Sequence, residues 1–274
     1  MISINHQELA QERFPDGTLH LKTPVIYPDS TVRIAWNYEN DAELFTIICL
    51  ARKYASQTKM LIMPYLPHAR MDRIKNYDTE VFTLKYFCDT INDLKFDRVI
   101  ILDAHSNVGP ALLNNCENKD IRNEMNYAIS DIIQRTNSED NVVLFFPDEG
   151  SMKRYSSFSP LPYCFGIKQR DWETGRIKDL KIQSDIDLRG KNVLIVDDIC
   201  SYGSTFAHSA KALREAGVNK IYLYVTHCEE NILKGAIFND PECKIEGIYT
   251  TTSLPALFKQ ANNMDHLTPW IRFV

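Results

Sequence analysis

Several short β-branched or aromatic runs punctuate this sequence, and each stops at residues that suit the edge of a core rather than its middle. Residues 60–63 run into Pro64-Tyr65, 98–102 end at Asp103, and 142–146 end at Pro147-Asp148. Residues 193–196 end at Asp197-Asp198, 221–225 at Thr226-His227, and 245–249 at Thr250-Thr251-Thr252. Strands that are apolar at nearly every position are buried on both faces, as in parallel sheets covered by helices.

Amphipathic helices fill the intervals. In 41–56, Leu44, Ile47, Ile48, Ala51 and Tyr54 recur at spacings of three and four. Residues 79–92 repeat the pattern with Leu84, Phe87, Cys88 and Ile91. Residues 204–216 do so with Ala207, Ala210 and Leu213, and Gly217 stands where a helix-ending glycine belongs. The alternation predicts an α/β fold of mainly parallel sheets flanked by helices. Val99…Asp103…Gly109 and Val193…Asp197…Gly203 share one spacing. That suggests related domains in tandem, 1–120 and 121–274, joined near 117–124; a length of 274 residues accommodates two.

With 31 basic against 36 acidic residues the net charge is −5, which argues against a nucleic-acid surface. Seven cysteines with no Cys-x-x-Cys pair fit reduced thiols in a cytoplasmic protein. The first residues lack the features of a signal peptide, and the longest apolar run, 44–51, is too short to span a bilayer. No membrane partner is expected.

The segment 193–205 carries the sharpest chemical signal. A buried strand delivers Asp197 and Asp198 to the sheet edge, and a turn of small and hydroxylic residues, Ser201-Tyr202-Gly203-Ser204-Thr205, opens a helix. Free amides, the helix dipole and hydroxyls suit a phosphate monoester. Ionised carboxylates only accept hydrogen bonds and so suit vicinal ribose hydroxyls. A bland alternative makes the two acids mere caps for the next helix. It explains a lone Asp-Asp better than it explains the whole segment.

This segment resembles the signature of phosphoribosyltransferases and of ribose-phosphate diphosphokinases, the phosphoribosyl diphosphate synthetases. Other segments resemble the synthetases in particular, in family order and over nearly the whole chain. They are Phe14-Pro15-Asp16-Gly17, Met63 to Arg73, Leu102-Asp103-Ala104-His105-Ser106, Pro147 to Arg154, Ile167-Lys168-Gln169-Arg170, Thr226-His227 and Thr251 to Pro255. The resemblance implies two phosphoribosyltransferase-type (type I) domains and transfer of diphosphate from ATP to the anomeric hydroxyl of ribose 5-phosphate. It also implies Phe14, Asp16, Arg70, Met71, Asp72 and His105 at ATP, with Asp103, His105 and Asp148 at Mg²⁺. Asp148, Asp197, Asp198, Ser201, Tyr202, Gly203, Ser204 and Thr205 then meet the sugar phosphate, while Lys168 and Arg170 open a mobile catalytic loop. Because the segment containing Phe14 reaches an ATP of a neighbouring subunit in the family, a homo-oligomer, a dimer or higher, is expected.

The residue types suit these duties. Diphosphoryl transfer needs charge neutralisation more than a nucleophile, and Mg²⁺ needs few carboxylates because it keeps several waters. Imidazole is a poor Mg²⁺ ligand, so His105 is equally open to a phosphate contact. In an extended segment Lys168 and Arg170 share a side, where they stabilise the charge that develops as AMP leaves. Ordinary readings stand beside these: a surface pair for Arg70 and Asp72, an exposed charged edge for Lys168 and Arg170, and a local turn for Pro15-Asp16-Gly17. P-loop and dinucleotide-binding glycine motifs and zinc spacings are absent from the sequence.

Several positions depart from the family pattern. Tyr202 stands where a small Thr is common, Ser204 where a second Gly is common, and Met71 where Gln is usual. Both ends are short beside the family's, whose ends contribute to oligomer contacts and allosteric sites, so the resemblance does not extend to regulation by ADP or phosphate. The departures around Tyr202 allow a second acceptor, ADP-ribose, whose 1-diphosphate would feed NAD rebuilding. A phosphoribosyltransferase would share Asp197 to Thr205 without needing Arg70, His105, Lys168 or Arg170. A non-catalytic regulatory relative would tend to lose catalytic side chains that are all present here.

Overall fold

The computed structural model describes residues 1–138, 141–170, 177–262 and 270–274, and for 168–170 and 177–179 the backbone alone. The chain divides into two compact units, Met1–Asp120 with Ser253–Pro255, and Ile121–Thr252 with Ala256–Val274.

The first unit opens with strands β1 (Ile2–Ile4), β2 (Gln7–Glu8), β3 (Gln11–Arg13), β4 (Leu19–Leu21) and β5 (Val32–Trp36). Helix α1 (Glu43–Lys53), β6 (Lys59–Ile62), α2 (Thr83–Asp93), β7 (Arg98–Leu102), α3 (Val108–Leu112) and β8 (Cys116–Lys119) follow. The main sheet is ordered β2-β1-β5-β6-β7-β8, parallel from β5 to β8, with β1 antiparallel to both neighbours. Strand β5 escapes a search for continuous apolar runs because it alternates: Val32, Ile34 and Trp36 are buried and Arg33 is exposed.

Helix α1 turns inward a stripe that its apolar residues alone do not predict. Glu43, Thr46, Ile47, Leu50 and Ala51 are buried, while Leu44 and Ile48 are half-buried. Glu43 tolerates burial because its Oε2 accepts from the Trp36 indole N–H at 2.8 Å and from the Glu39 backbone N–H at 2.9 Å. A buried carboxylate with such partners avoids most of the penalty of a bare one.

The second unit comprises α4 (Arg122–Thr136), β9 (Val142–Phe146), α5 (Glu149–Tyr155), β10 (Tyr163–Arg170), β11 (Ile177–Gln183) and β12 (Asn192–Cys200). It continues with α6 (Ser204–Glu215), β13 (Lys220–Cys228), α7 (Ala236–Asn239), β14 (Gly247–Thr250), α8 (Pro255–Asn262) and β15 (Ile271–Phe273). Its sheet is ordered β11-β10-β9-β12-β13-β14-β15 and is parallel except for β11, which is antiparallel to β10. Every residue of β9 is buried. Helix α4 buries Met125, Ala128, Ile129 and Ile132, and α6 buries Phe206, Ala207, Ala210 and Leu213. Each large apolar side chain so placed stabilises the fold by about 1.5–3 kcal/mol.

One detail differs from the sequence expectation. Strand β12 does not stop at Val196: its pairing with β13 continues through Asp197 to Cys200, so both acids lie inside a strand. Lys168 and Arg170 lie at the end of β10, in antiparallel register with Leu180 and Ile177 of β11. Among the described residues, no helix is long and apolar enough to cross a membrane.

Candidate functional site

In parallel α/β sheets, ligands are held by the segments that follow the strands' carboxyl ends. At the end of β12 the chain makes one sharp move. Gly203 sits at φ +74°, a conformation that strains any side-chain-bearing residue, and turns the backbone into α6. The first-turn amides of such a helix have no acceptor within it, and no side chain caps the start of α6. The positive end of its dipole adds to their attraction for an anion. Ser204 is exposed and Thr205 half-buried beside these amides, and the Tyr202 side chain is half-exposed. The turn is backed by Gly235: a Cβ there would lie 1.9 Å from the Tyr202 carbonyl oxygen, so only glycine permits this approach.

The two adjacent acids differ in environment, as expected when successive strand residues leave opposite faces. Asp197 is half-buried, and its Oδ1 accepts from the Asp198 backbone N–H at 3.0 Å. Asp198 is 5 % exposed and lies 3.6 Å from Nη1 of Arg154. The Arg154 guanidinium in turn sits over the ring of Tyr155, 5.3 Å from its centroid, and Tyr155 is fully buried.

Asp148, at the end of β9, caps α5. Its Oδ1 accepts from the Ser151 backbone N–H at 3.1 Å, and the Ser151 hydroxyl reaches back to the Asp148 backbone in a capping box. Helix α5 thereby links an acid at the end of β9 to the partner of an acid in β12. Neither Arg154 nor Glu229, which accepts the Ser201 hydroxyl at 2.6 Å, stood among the residues expected at the site. Arg154 falls within the Pro147 to Arg154 segment, so the signal was present but unused. Glu229 is 28 residues from Ser201 and has no local mark; only the pairing of β12 with β13 brings it there.

In the first unit, β7 ends at Asp103, buried and at φ +46°, with its backbone N–H given to the Lys119 carbonyl at 2.9 Å. Left-handed backbone is uncommon outside glycine, and Asp adopts it more readily than most. Asp72 is also buried. Burial pushes its carboxyl up, but hydrogen bonds from Arg73 and Ser106, together with the positive charges of Arg73 and His105, hold it below the usual range. The segments ending at Asp72 and following β7 are thus brought together. Met71 donates its backbone N–H to the His68 carbonyl, and Arg70 is exposed.

Phe14 and Asp16 form the tip of the hairpin joining β3 to β4. Phe14 is half-exposed and stacks on His20, with ring centroids 4.7 Å apart. Asp16 accepts from the hydroxyl and backbone N–H of Thr18, and these bonds hold its carboxyl below the ordinary range.

The side chains of Lys168 and Arg170 lie outside the described residues; their backbone places them two positions apart in one strand. Among the described residues, no three His, Cys, Asp or Glu side chains gather into a metal cage.

The phosphoribosyl transferase domain model matches residues 128–244. The chain is 28% identical over 226 residues to a ribose-phosphate pyrophosphokinase of Thermococcus kodakarensis, covering 80% of this chain and 77% of that protein. It is 27% identical over 286 aligned positions to a ribose-phosphate pyrophosphokinase of Thermoplasma volcanium, covering 96% and 89%. The crystal structure of phosphoribosylpyrophosphate synthetase from Mycobacterium smegmatis superimposes with a TM-score of 0.74 at 18% identity, over 97% of this chain and 85% of that one. The α/β fold, with its two mainly parallel sheets flanked by helices, is therefore shared with a solved synthetase.

Proposed function

We propose, from the premise that the chain belongs to the ribose-phosphate pyrophosphokinase family, that it transfers the β,γ-diphosphate of ATP to the 1-hydroxyl of ribose 5-phosphate. The products are phosphoribosyl diphosphate and AMP. The observation that carries this reading is the β12–α6 segment. A buried, arginine-held carboxylate and a second acid precede a glycine-turned helix start, so diol acceptors and phosphate donors lie within one short stretch.

In this reading the backbone amides of Ser201 to Thr205, with the hydroxyls of Ser204 and Thr205, hold the 5-phosphate, while Asp197 and Asp198 accept from the ribose hydroxyls. Asp148 contributes at the sugar-phosphate and metal site while capping α5. Phe14, Asp16, Arg70, Met71, Asp72 and His105 face ATP, and Asp103 and His105 complete the metal contacts. Mg²⁺, when bound with ATP, withdraws negative charge from the diphosphate. The acceptor hydroxyl gives up its proton to solvent and its oxygen bonds to the β-phosphorus as the bond to AMP's oxygen breaks, while Lys168 and Arg170 offset charge on the departing phosphate. The exposed Phe14 ring and its hairpin support a homo-oligomer, and light scattering on the purified protein should give a dimer or larger. A cytoplasmic location belongs to the same reading.

One observation favours a second acceptor: the Tyr202 side chain, 52% exposed, stands in the phosphate loop itself. An aromatic face there could stack on a base carried beyond the 5-phosphate, as in ADP-ribose. Mass spectrometry of reactions containing ATP, Mg²⁺ and either sugar decides between them. AMP release dependent on ribose 5-phosphate, with a product heavier by one diphosphate, supports the main reading. Release only with ADP-ribose transfers the activity to the second, and no AMP release with either sugar overturns both.

A further inference from the structure

We infer that Glu229 is a specificity-determining residue of the phosphate loop, setting how much negative charge that loop accepts. The inference rests on the reading of Ser201 to Thr205 as a phosphate site and deepens it.

Glu229 is held in place by backbone pairing. Cys200, the last residue of β12, is in register with Cys228, the last of β13. The Glu229 backbone N–H then donates to the Cys200 carbonyl at 2.8 Å, carrying the ladder one step into the turn. From that anchor its Oε2 accepts the Ser201 hydroxyl at 2.6 Å, a length typical of a charge-assisted bond, and is approached by Asn231 Nδ2 at 3.4 Å.

A hydroxyl has one proton to give. With that proton on Glu229, Ser201 offers an incoming phosphate only lone pairs. The loop therefore presents donors from α6, Ser204 and Thr205, with one hydroxyl withdrawn and a carboxylate beside it. A doubly charged anion is repelled more by that carboxylate than a singly charged one. Free inorganic phosphate has no ribose to engage Asp197 and Asp198, so it gains no contact there to set against the repulsion. A sugar phosphate makes those contacts and is retained. Glu229 thus keeps small free anions out of a site built to attract anions.

Glu229→Gln separates charge from shape, because the amide oxygen can still accept the Ser201 hydroxyl. Titration calorimetry with inorganic phosphate, without nucleotide, needs no turnover. The variant should bind phosphate about threefold to tenfold more tightly at low ionic strength, a gap that shrinks as salt screens the charge. The Michaelis constant for ribose 5-phosphate should fall with kcat nearly unchanged. Equal or weaker phosphate binding by a variant of unaltered Tm overturns the inference.

Ser201→Ala gives a second arm should the first variant fold poorly. Phosphate affinity should change less than about twofold, because the lost hydroxyl was not donating to phosphate; a tenfold loss would overturn the inference. Thr205→Val tests the underlying reading. If that change leaves phosphate binding untouched, the phosphate site and the inference fall together. If binding responds to Thr205 but not to Glu229, the inference alone fails.

Discussion

A carboxylate as buried as Asp198 persists only with a partner, and Arg154 supplies one from the last turn of α5. In the proposed reading Arg154 acts through Asp198, as a positioning residue. Arg154→Ala should raise the Michaelis constant for the sugar phosphate by about tenfold, or about 1.4 kcal/mol, with a smaller change in kcat. Arg154→Lys should restore part of that loss, since lysine keeps the charge but not the planar fork. Steady-state kinetics with the sugar varied checks both. Lys168→Ala should behave differently, lowering kcat by about 10²–10³ with little change in the Michaelis constant, because in the proposed reading its charge acts mainly in the transition state. Asp198→Ala should weaken sugar binding instead. Small and equal effects from those two changes would contradict the assigned roles.

At the scale of elements, the phosphate loop depends on contact with the segment leading into α7. Gly235 has ordinary dihedrals, so a side chain there is resisted by the Tyr202 carbonyl, and less closely by the Ile232 carbonyl oxygen at 3.1 Å, and not by backbone strain. Gly235→Ala should cost about 1–3 kcal/mol of stability, as overpacking does, and should raise the Michaelis constant for the sugar by displacing the Tyr202 backbone. Denaturant unfolding and sugar kinetics would test the two effects. Strands and helices with a clean period were legible from the sequence: β7 and β9 match their apolar runs residue for residue, and α6 begins where its pattern begins. The buried stripe of α1 was not legible, because the burial of Glu43 depends on an indole N–H from β5 that no helical period reveals. The continuation of β12 through two acids was hidden for a similar reason. The partner strand β13, not the residues themselves, keeps that segment extended.

At the scale of the whole molecule, the two units have separate cores. One gathers Ile34, Trp36, Leu61 and Ile101, and the other Phe145, Ile195, Leu213 and Leu223. A sugar phosphate held at the start of α6 should stabilise the second core selectively, by about 2.7 kcal/mol at a hundred times its Kd. Amide exchange in β12 and α6 should slow on adding ribose 5-phosphate, while β6 and β7 keep their rates. Equal slowing in both units would show that the ligand does not act through this site alone.

The sequence by itself determined the chemistry available. Runs of apolar residues ending in acids dictate parallel strands, and Gly203 after two acids and before a helical pattern dictates a start suited to phosphate, because these are local properties of neighbouring residues. Tertiary structure decided which groups serve that chemistry. Arg154 reaches Asp198 because α5 packs against β12, and Glu229 reaches Ser201 because β12 and β13 pair in register. Contacts between residues tens of positions apart arise from packing the whole chain, and no local pattern encodes them.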